Sequence, residues 1–420
     1  MFSPPCSAGS TVRSIKLAKK VFSAKTVCPT AGSQLYVFHG LLGNAGNWTT
    51  ASRYLVEHRL LRDTLRRIIA VDMRNHGSSL HSSDHSNAAL ASDLEGLVLG
   101  EQQELIRTFP DPALCTTRNS ILIGHSMGGL TVIGALLRRA NEDRLLGTWV
   151  DNLDNTNAAT TNRTWQTESL RQCSGAMRAV NEEFGFAPSQ PISDVLFDNP
   201  SASLSPSANS GIAARIPPLG RIAGAIIVDV TPTMRLGEQR SCADNVKETL
   251  DRMTQVRLDA IHSYKEAHAE LIRVGMTDQA MRDFVTTNIA LDPTNKSKPA
   301  QWRCNLDVLS GDYGSFQPSI TNWFTSSSSS SAAAGAESAT AVGQASSADQ
   351  PPQPCTLPVM FVFGGKSPYN EPDHRQRISK YFTRATQVEV ADAGHFVHYE
   401  KPREFADAVA PFIVSLIEKS

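Results

Sequence analysis

Nowhere in this chain does an apolar run approach the roughly 20 residues that a membrane-spanning helix needs. That gap argues against an integral membrane protein. Cysteine is equally sparse. The seven residues, Cys6, Cys28, Cys115, Cys173, Cys242, Cys304 and Cys355, are scattered with no C-x-x-C pair. Their spacing offers neither a metal-ligand set nor a disulfide framework, so a reducing compartment is the simpler setting. Excess charge is missing too. A formal net charge of −1 leaves no case for nucleic acid or an anionic membrane as the main partner. One further gap is local. From Met1 to Val56 there is no Asp or Glu, while Arg13, Lys16, Lys19, Lys20, Lys25 and Arg53 are present. That composition is similar to a mitochondrial transit peptide. The competing reading is an edge strand over Ile15 to Phe22 with its lysines in water. The expected location is mitochondrial, or otherwise cytoplasmic.

What the chain does contain is enough apolar residue, 40% of 420, for a large core. Short β-prone runs alternate with helix-compatible stretches. Gln34 to Phe38, Arg67 to Val71, Ile121 to Ile123, Ile222 to Val228, Pro358 to Phe363 and Thr386 to Val390 read as strands. Trp48 to His58, Ala88 to Phe109 and Pro402 to Ile417 read as helices between or after them. Repeated strand–helix units predict an α/β fold with a mostly parallel sheet and helices on both faces. The expected organisation is one interrupted domain. Residues 1–13 form a tail or short targeting segment, and 14–145, 221–240 and 355–420 form the core. Residues 146–220 read as an insertion rich in Asn, Thr and Ser, with a short helix over Glu168 to Glu183. Residues 241–310 read as a helical lid, with Thr277 capping its third helix and Met253 and Phe284 in its interior. Residues 311–354 form a second, Ser/Ala-rich insertion of low complexity.

The chemistry centres on Gly124-His125-Ser126-Met127-Gly128, a G-x-S-x-G sequence between an apolar strand and a helix. A serine on so sharp a turn presents its hydroxyl, and the crowded positions two residues away on each side must lack side chains. The N–H of Met127 is then free to bind an oxyanion. A second strand ends in His39-Gly40-Leu41, where the N–H of Leu41 can be the partner donor. Serine needs a base. Among eleven histidines, His395 follows the last strand behind Gly394. His125 adjoins Ser126 but points away from it, and His398 flanks the site. The base needs a carboxylate. The loop after Phe363, Gly364-Gly365-Lys366-Ser367, holds none until Glu371 and Asp373. Asp229 ends the neighbouring strand and is the preferred acid, with Asp307, or Asp373 or Glu371, as the alternatives. His76, His81 and His85 lie within ten residues of one another, but their spacing matches no metal-ligand set.

Six pieces carry a family resemblance: His39-Gly40-Leu41-Leu42-Gly43, Asp72-Met73-Arg74-Asn75-His76-Gly77-Ser78, Gly124 to Gly129, Val228-Asp229-Val230-Thr231-Pro232, Trp302-Arg303-Cys304-Asn305-Leu306 and Gly394-His395-Phe396-Val397-His398. The chain resembles the mitochondrial α/β-hydrolase group that contains abhydrolase domain-containing protein 11, the bacterial YbfF-type esterases and the yeast ethanol acetyltransferases. The D-x-R-N-H-G-x-S and D-x-x-P pieces are the more discriminating ones. The resemblance implies an α/β-hydrolase fold with a helical lid. It also implies a triad acid in D-x-x-P, at Asp229, and hydrolysis of short acyl esters or thioesters. Some fungal members instead transfer acetyl to an alcohol. The expected partner is a small acyl ester or thioester, with no nucleic acid, metal or organic cofactor. A non-catalytic binding protein on the same fold is the remaining alternative.

Overall fold

The computed structural model describes residues 14–23, 33–108, 120–140, 222–233, 243–295, 298–311 and 353–418. The expectations for 1–13, for the helix over 168–183 and for most of the two insertions fall outside the described residues. The strands are β1 (Lys19–Ser23), β2 (Ser33–Phe38), β3 (Leu65–Val71), β4 (Ser120–His125), β5 (Ile222–Val228), β6 (Ile289–Ala290), β7 (Gln301–Trp302), β8 (Val359–Gly364) and β9 (Ala385–Val390). Seven of them form one sheet in the order β1-β3-β2-β4-β5-β8-β9. Only β1 runs antiparallel to its neighbour. It begins at Lys19, later than the pattern suggested. The preceding amides are spent on side chains instead: Ile15 N–H donates to Asp93 and Ala18 N–H to Ser79.

The sheet's apolar side chains alternate faces, as a period of two requires. Leu35, Val37, Ile121, Ile123, Ile226 and Val228 face α1 (Thr49–Glu57) and the C-terminal helix over Pro402–Glu418. Tyr36, Phe38, Ile69, Leu122 and Ile227 face α2 (Asn87–Thr108) and α3 (Met127–Ala140). Both faces are covered, so each central strand reads as a continuous apolar run. Between β5 and β8 lie α4 (Ala243–Thr254), α5 (Tyr264–Arg273), α6 (Gln279–Thr286) and α7 (Leu306–Gly311). They share a separate apolar cluster built on Leu250, Met253, Leu271, Val285 and Leu309. α4 stops at Thr254, so the apolar residues Val256 and Ile261 lie beyond its end. The cap of α6 is Asp278, whose carboxylate accepts from Met281 N–H, and not Thr277.

The chain leaves β2 for β3 on one side and then returns to β4 on the other. The crevice at the carboxyl ends of β2 and β4 is therefore a topological switch point, where α/β sheets bind ligands. Ser126 follows β4, Asp229 follows β5 and His39 follows β2.

Candidate active site

Ser126 occupies the turn between β4 and α3 with φ 51°, a region that a non-glycine residue enters at a cost. The turn is tight on every side. A Cβ on Gly124 would lie 2.4 Å from Gly128 O, and one on Gly128 would lie 2.3 Å from Phe38 O. Neither position tolerates a side chain. The Ser126 N–H donates to Val228 O at 3.1 Å, and the Asp229 N–H donates to Val362 O at 2.8 Å. These bonds extend the ladder past the strand ends, so Ser126 and Asp229 sit on the same rim. Asp229 also has positive φ, 56°, a strain that composition did not signal.

The carboxylate of Asp229 is fully buried. Its Oδ1 accepts from Gly364 N–H at 3.0 Å. Its Oδ2 accepts from His395 Nδ1–H at 2.7 Å and from the Ser367 hydroxyl. The structure thus brings His395 and Asp229 together. With Nδ1 donating, the lone pair of His395 stays on Nε2, and 19% of its side-chain surface remains accessible. Ser126 Oγ and His395 Nε2 share no hydrogen bond among the described residues. Such bonds often tighten only with substrate in place. Asp307 is elsewhere: it lies exposed in the first turn of α7, away from any histidine hydrogen bond among the described residues.

The two proposed oxyanion donors flank the serine. A Cβ on Gly40 would come within 3.1 Å of Ser126 Cβ, so the loop after β2 lies directly against the elbow. Neither the Leu41 nor the Met127 amide donates a hydrogen bond among the described residues. Met127 also opens α3, whose N-terminal end favours negative charge. The loop is held from two sides. His76 Nε2 accepts from Leu42 N–H at 3.0 Å, and Asn288 Nδ2 donates to Leu42 O at 2.7 Å.

His125 braces the backbone of His395. Its Nε2–H donates to the backbone carbonyl of His395 at 3.0 Å, and its ring lies 4.6 Å from the His395 ring. Burial holds its pKa well below the ordinary imidazole range, so it is neutral. His398 stacks flat on Trp48 at 3.8 Å and is pushed down to about 3 by burial. A cleft beside the elbow is lined by Gly40, His125, Phe284, Phe396, His398 and Tyr399 among others. Here the two residues expected in the helical segment's interior part company. Met253 is wholly buried there, whereas Phe284 reaches the cleft and packs on Phe396 with ring centroids 4.8 Å apart.

The D-x-R-N-H-G-x-S piece holds backbone in place. Asp72 accepts from Ala45 and Ser78 N–H. Arg74 grips Asp93 in a bidentate pair, Nε–H donating to Oδ2 at 2.6 Å and Nη2–H to Oδ1 at 2.9 Å. Asn75 ties this loop to the segment before α7 by accepting from Asn305 N–H at 2.8 Å. Sequence reasoning missed three contributors: Ser367, Asn288 and the backbone role of His125.

Comparison with known proteins agrees with this fold. The model of the family described as "Alpha/beta hydrolase family" matches residues 35–408. The sn-1-specific diacylglycerol lipase ABHD11 of Mus musculus is 24% identical over 375 residues, covering 89% of this chain and 79% of that protein. A probable alcohol acetyltransferase of Saccharomyces cerevisiae is 33% identical over 104 residues, 25% of this chain and 26% of that protein. Among solved structures, a marine microorganism esterase superposes with a TM-score of 0.55 at 17% identity, covering 95% of this chain and 100% of that one. That last likeness speaks to the fold.

Proposed function

The chain belongs to the alpha/beta hydrolase family, and from that premise we propose that it is a serine hydrolase of short-chain carboxylic esters or acyl thioesters. The observation that carries the reading is the bond from His395 Nδ1–H to Asp229 Oδ2 at 2.7 Å, on the same rim as a strained elbow serine. Ser126 Oγ attacks the acyl carbonyl while its proton passes to His395 Nε2. Asp229 fixes the tautomer and stabilises the imidazolium. The N–H groups of Leu41 and Met127 hold the oxyanion, each lowering the barrier by about 3 kcal/mol. Collapse of the tetrahedral intermediate expels the alcohol or thiol, protonated by His395. Water, activated by the same imidazole, then frees the acid and restores Ser126.

In this reading α4 to α7 form a lid over the rim, with Phe284 as its contribution to the substrate cleft. The confined cleft and its phenylalanine wall favour small acyl groups. The mouse relative's name, a diacylglycerol lipase, supports ester chemistry. The yeast relative's name supports a second reading, in which an alcohol in place of water resolves the acyl-enzyme.

A fluorophosphonate probe should label the purified chain at Ser126, and Ser126→Ala should abolish both labelling and turnover of p-nitrophenyl esters. A panel from acetate to dodecanoate should peak at the short end. Supplying acetyl-CoA with ethanol separates the two readings: free acetate marks the hydrolase, and ethyl acetate marks the transferase. An unlabelled Ser126 in folded protein would sink both and leave a binding protein on a hydrolase scaffold.

A further inference from the structure

The loop after β8, where an acid was sought and not found, reaches the site by another route. Ser367 is buried there, with its hydroxyl beside Asp229 Oδ2. Tyr369 N–H donates to Ser367 Oγ at 3.1 Å. An amide can only donate and an ionised carboxylate can only accept. The hydroxyl proton is therefore directed onto Oδ2, the same oxygen that receives His395 Nδ1–H. The other carboxylate oxygen is held by Gly364 N–H, from the start of the same loop. The Tyr369 ring closes the arrangement 4.4 Å from the His395 ring. Residues 364–369 thus contact both oxygens of Asp229 and the face of His395.

We infer that Ser367 is a positioning residue that sets the orientation of Asp229 and its share of charge toward His395. This rests on the triad reading given above. The hydroxyl does two things. It fixes the carboxylate plane so that Oδ2 meets Nδ1–H, and it draws part of the negative charge on Oδ2 to itself. Its removal leaves more of that charge for the imidazolium, which favours the protonated base. Other titratable groups face His395 as well. Burial keeps His125 and His398 neutral, the latter at about 3. Glu400 accepts from the Gly394 and Phe396 amides beside the ring. None of these touches Asp229 among the hydrogen bonds of the described residues.

The test is Ser367→Ala in the full chain, assayed by steady-state kinetics on a short p-nitrophenyl ester across pH. A charge-assisted hydrogen bond of ordinary strength predicts a fall in kcat of about 10-fold or more, with KM little changed. The acid limb of the kcat/KM profile should move to higher pH. Ser367→Thr, which keeps the hydroxyl, should restore both. A folded S367A with wild-type kcat and an unmoved acid limb overturns the inference. So does a fall in kcat with no movement of the limb, which marks a purely structural role. If S367A does not fold, judged by its melting curve and fluorophosphonate stoichiometry, Ser367→Cys is the deciding variant: a weaker donor must give the same two changes in smaller measure. Absence of Ser126-dependent turnover in the wild type would instead count against the proposed function.

Discussion

Two groups of imidazoles stand at the carboxyl edge of the sheet, and they are held differently. Around β2 and the following loop, His39 and His76 have both ring nitrogens committed to backbone. His39 donates to Gly40 O and accepts from Met73 N–H; His76 donates to Arg74 O and accepts from Leu42 N–H. Around the elbow, His395 donates one nitrogen to a carboxylate and keeps the other for a proton. Its ring remains partly accessible, whereas His39 and His76 are sealed. The first group fixes a loop, and in the proposed reaction the second carries the base. The chemistry of an imidazole is therefore set by what its second nitrogen is left to do. A sequence motif can be highly discriminating, as D-x-R-N-H-G-x-S is, and still hold only scaffold.

The comparison is broken most forcefully at the carboxylate. Asp229→Asn should lower kcat by about 10⁴-fold, because an amide cannot hold the imidazole in the right tautomer or stabilise its charged form. Asp307→Asn, on an exposed turn, should leave kcat within about twofold, as surface substitutions away from a site generally do. Steady-state rates on one short ester, with each variant's melting curve, check both. The reverse result would move the acid to Asp307 and remove the distinction drawn for His395.

On the scaffold side the largest effect should fall on stability. The Arg74–Asp93 pair is almost wholly buried, at 1% and 3% side-chain exposure. Asp93→Asn keeps the shape but leaves the guanidinium only the more exposed and more distant Asp84, at 4.0 Å, as a counter-charge, and it weakens the acceptor for Ile15 N–H. The expected loss is about 3–5 kcal/mol in denaturant unfolding, with kcat per folded site retained. A variant that stays stable but loses activity would place Arg74 in the reaction and blur the two groups.

A third prediction uses pH. Burial pushes His39 down to about 4 and His76 to about 3, from an ordinary 6.5. In the unfolded chain each takes a proton as the pH falls through about 6.5, but in the folded chain neither does until much lower. The unfolded state binds more protons over that interval. Stability is therefore full above about 6.5 and declines as the pH falls toward the folded values. Melting temperatures should drop between pH 6.5 and 4. His76→Gln, which offers Leu42 N–H an oxygen, should show a shallower drop. An unchanged slope would mean that His76 does not stay neutral in the fold.

Much of this architecture was legible in residue order. The apolar runs around Leu35, Ile121, Ile226 and Phe361 marked strands because both their faces are covered. Gly124 to Gly128 marked the elbow because backbone crowding there excludes other residues. The unfilled acid position after Phe363 pointed to Asp229. What escaped was contact between distant segments. Asn288 reaches Leu42 across 246 positions, and a single serine at 367 has no pattern to set it apart from any turn residue. Helix ends escaped too: Thr277 and Asp278 are both good caps, and only the fold decides which side chain meets Met281 N–H.

The smallest expected effect lies where the helical segment meets the base. Phe284, on α6, packs on Phe396, the residue next to His395, and both line the cleft. One ring comes from the segment between β5 and β8, and the other from the loop that carries the base. Phe284→Ala removes one side of that wall, together with a partly buried contact on the cluster around Met253, without touching the carboxylate or the elbow. The reaction on acetate esters should change little. Longer acyl chains should gain, and since one methylene in an apolar pocket is worth about 1–3 kcal/mol at most, a rise of about 10-fold in the octanoate-to-acetate ratio of kcat/KM is expected. Because Phe284 is only partly buried, the melting temperature should move less than for a core truncation. A ratio that stays constant while both rates fall equally would make Phe284 a support for His395 through Phe396. The elbow group would then extend into the helical segment, and acyl selectivity would have to be sought elsewhere along the cleft.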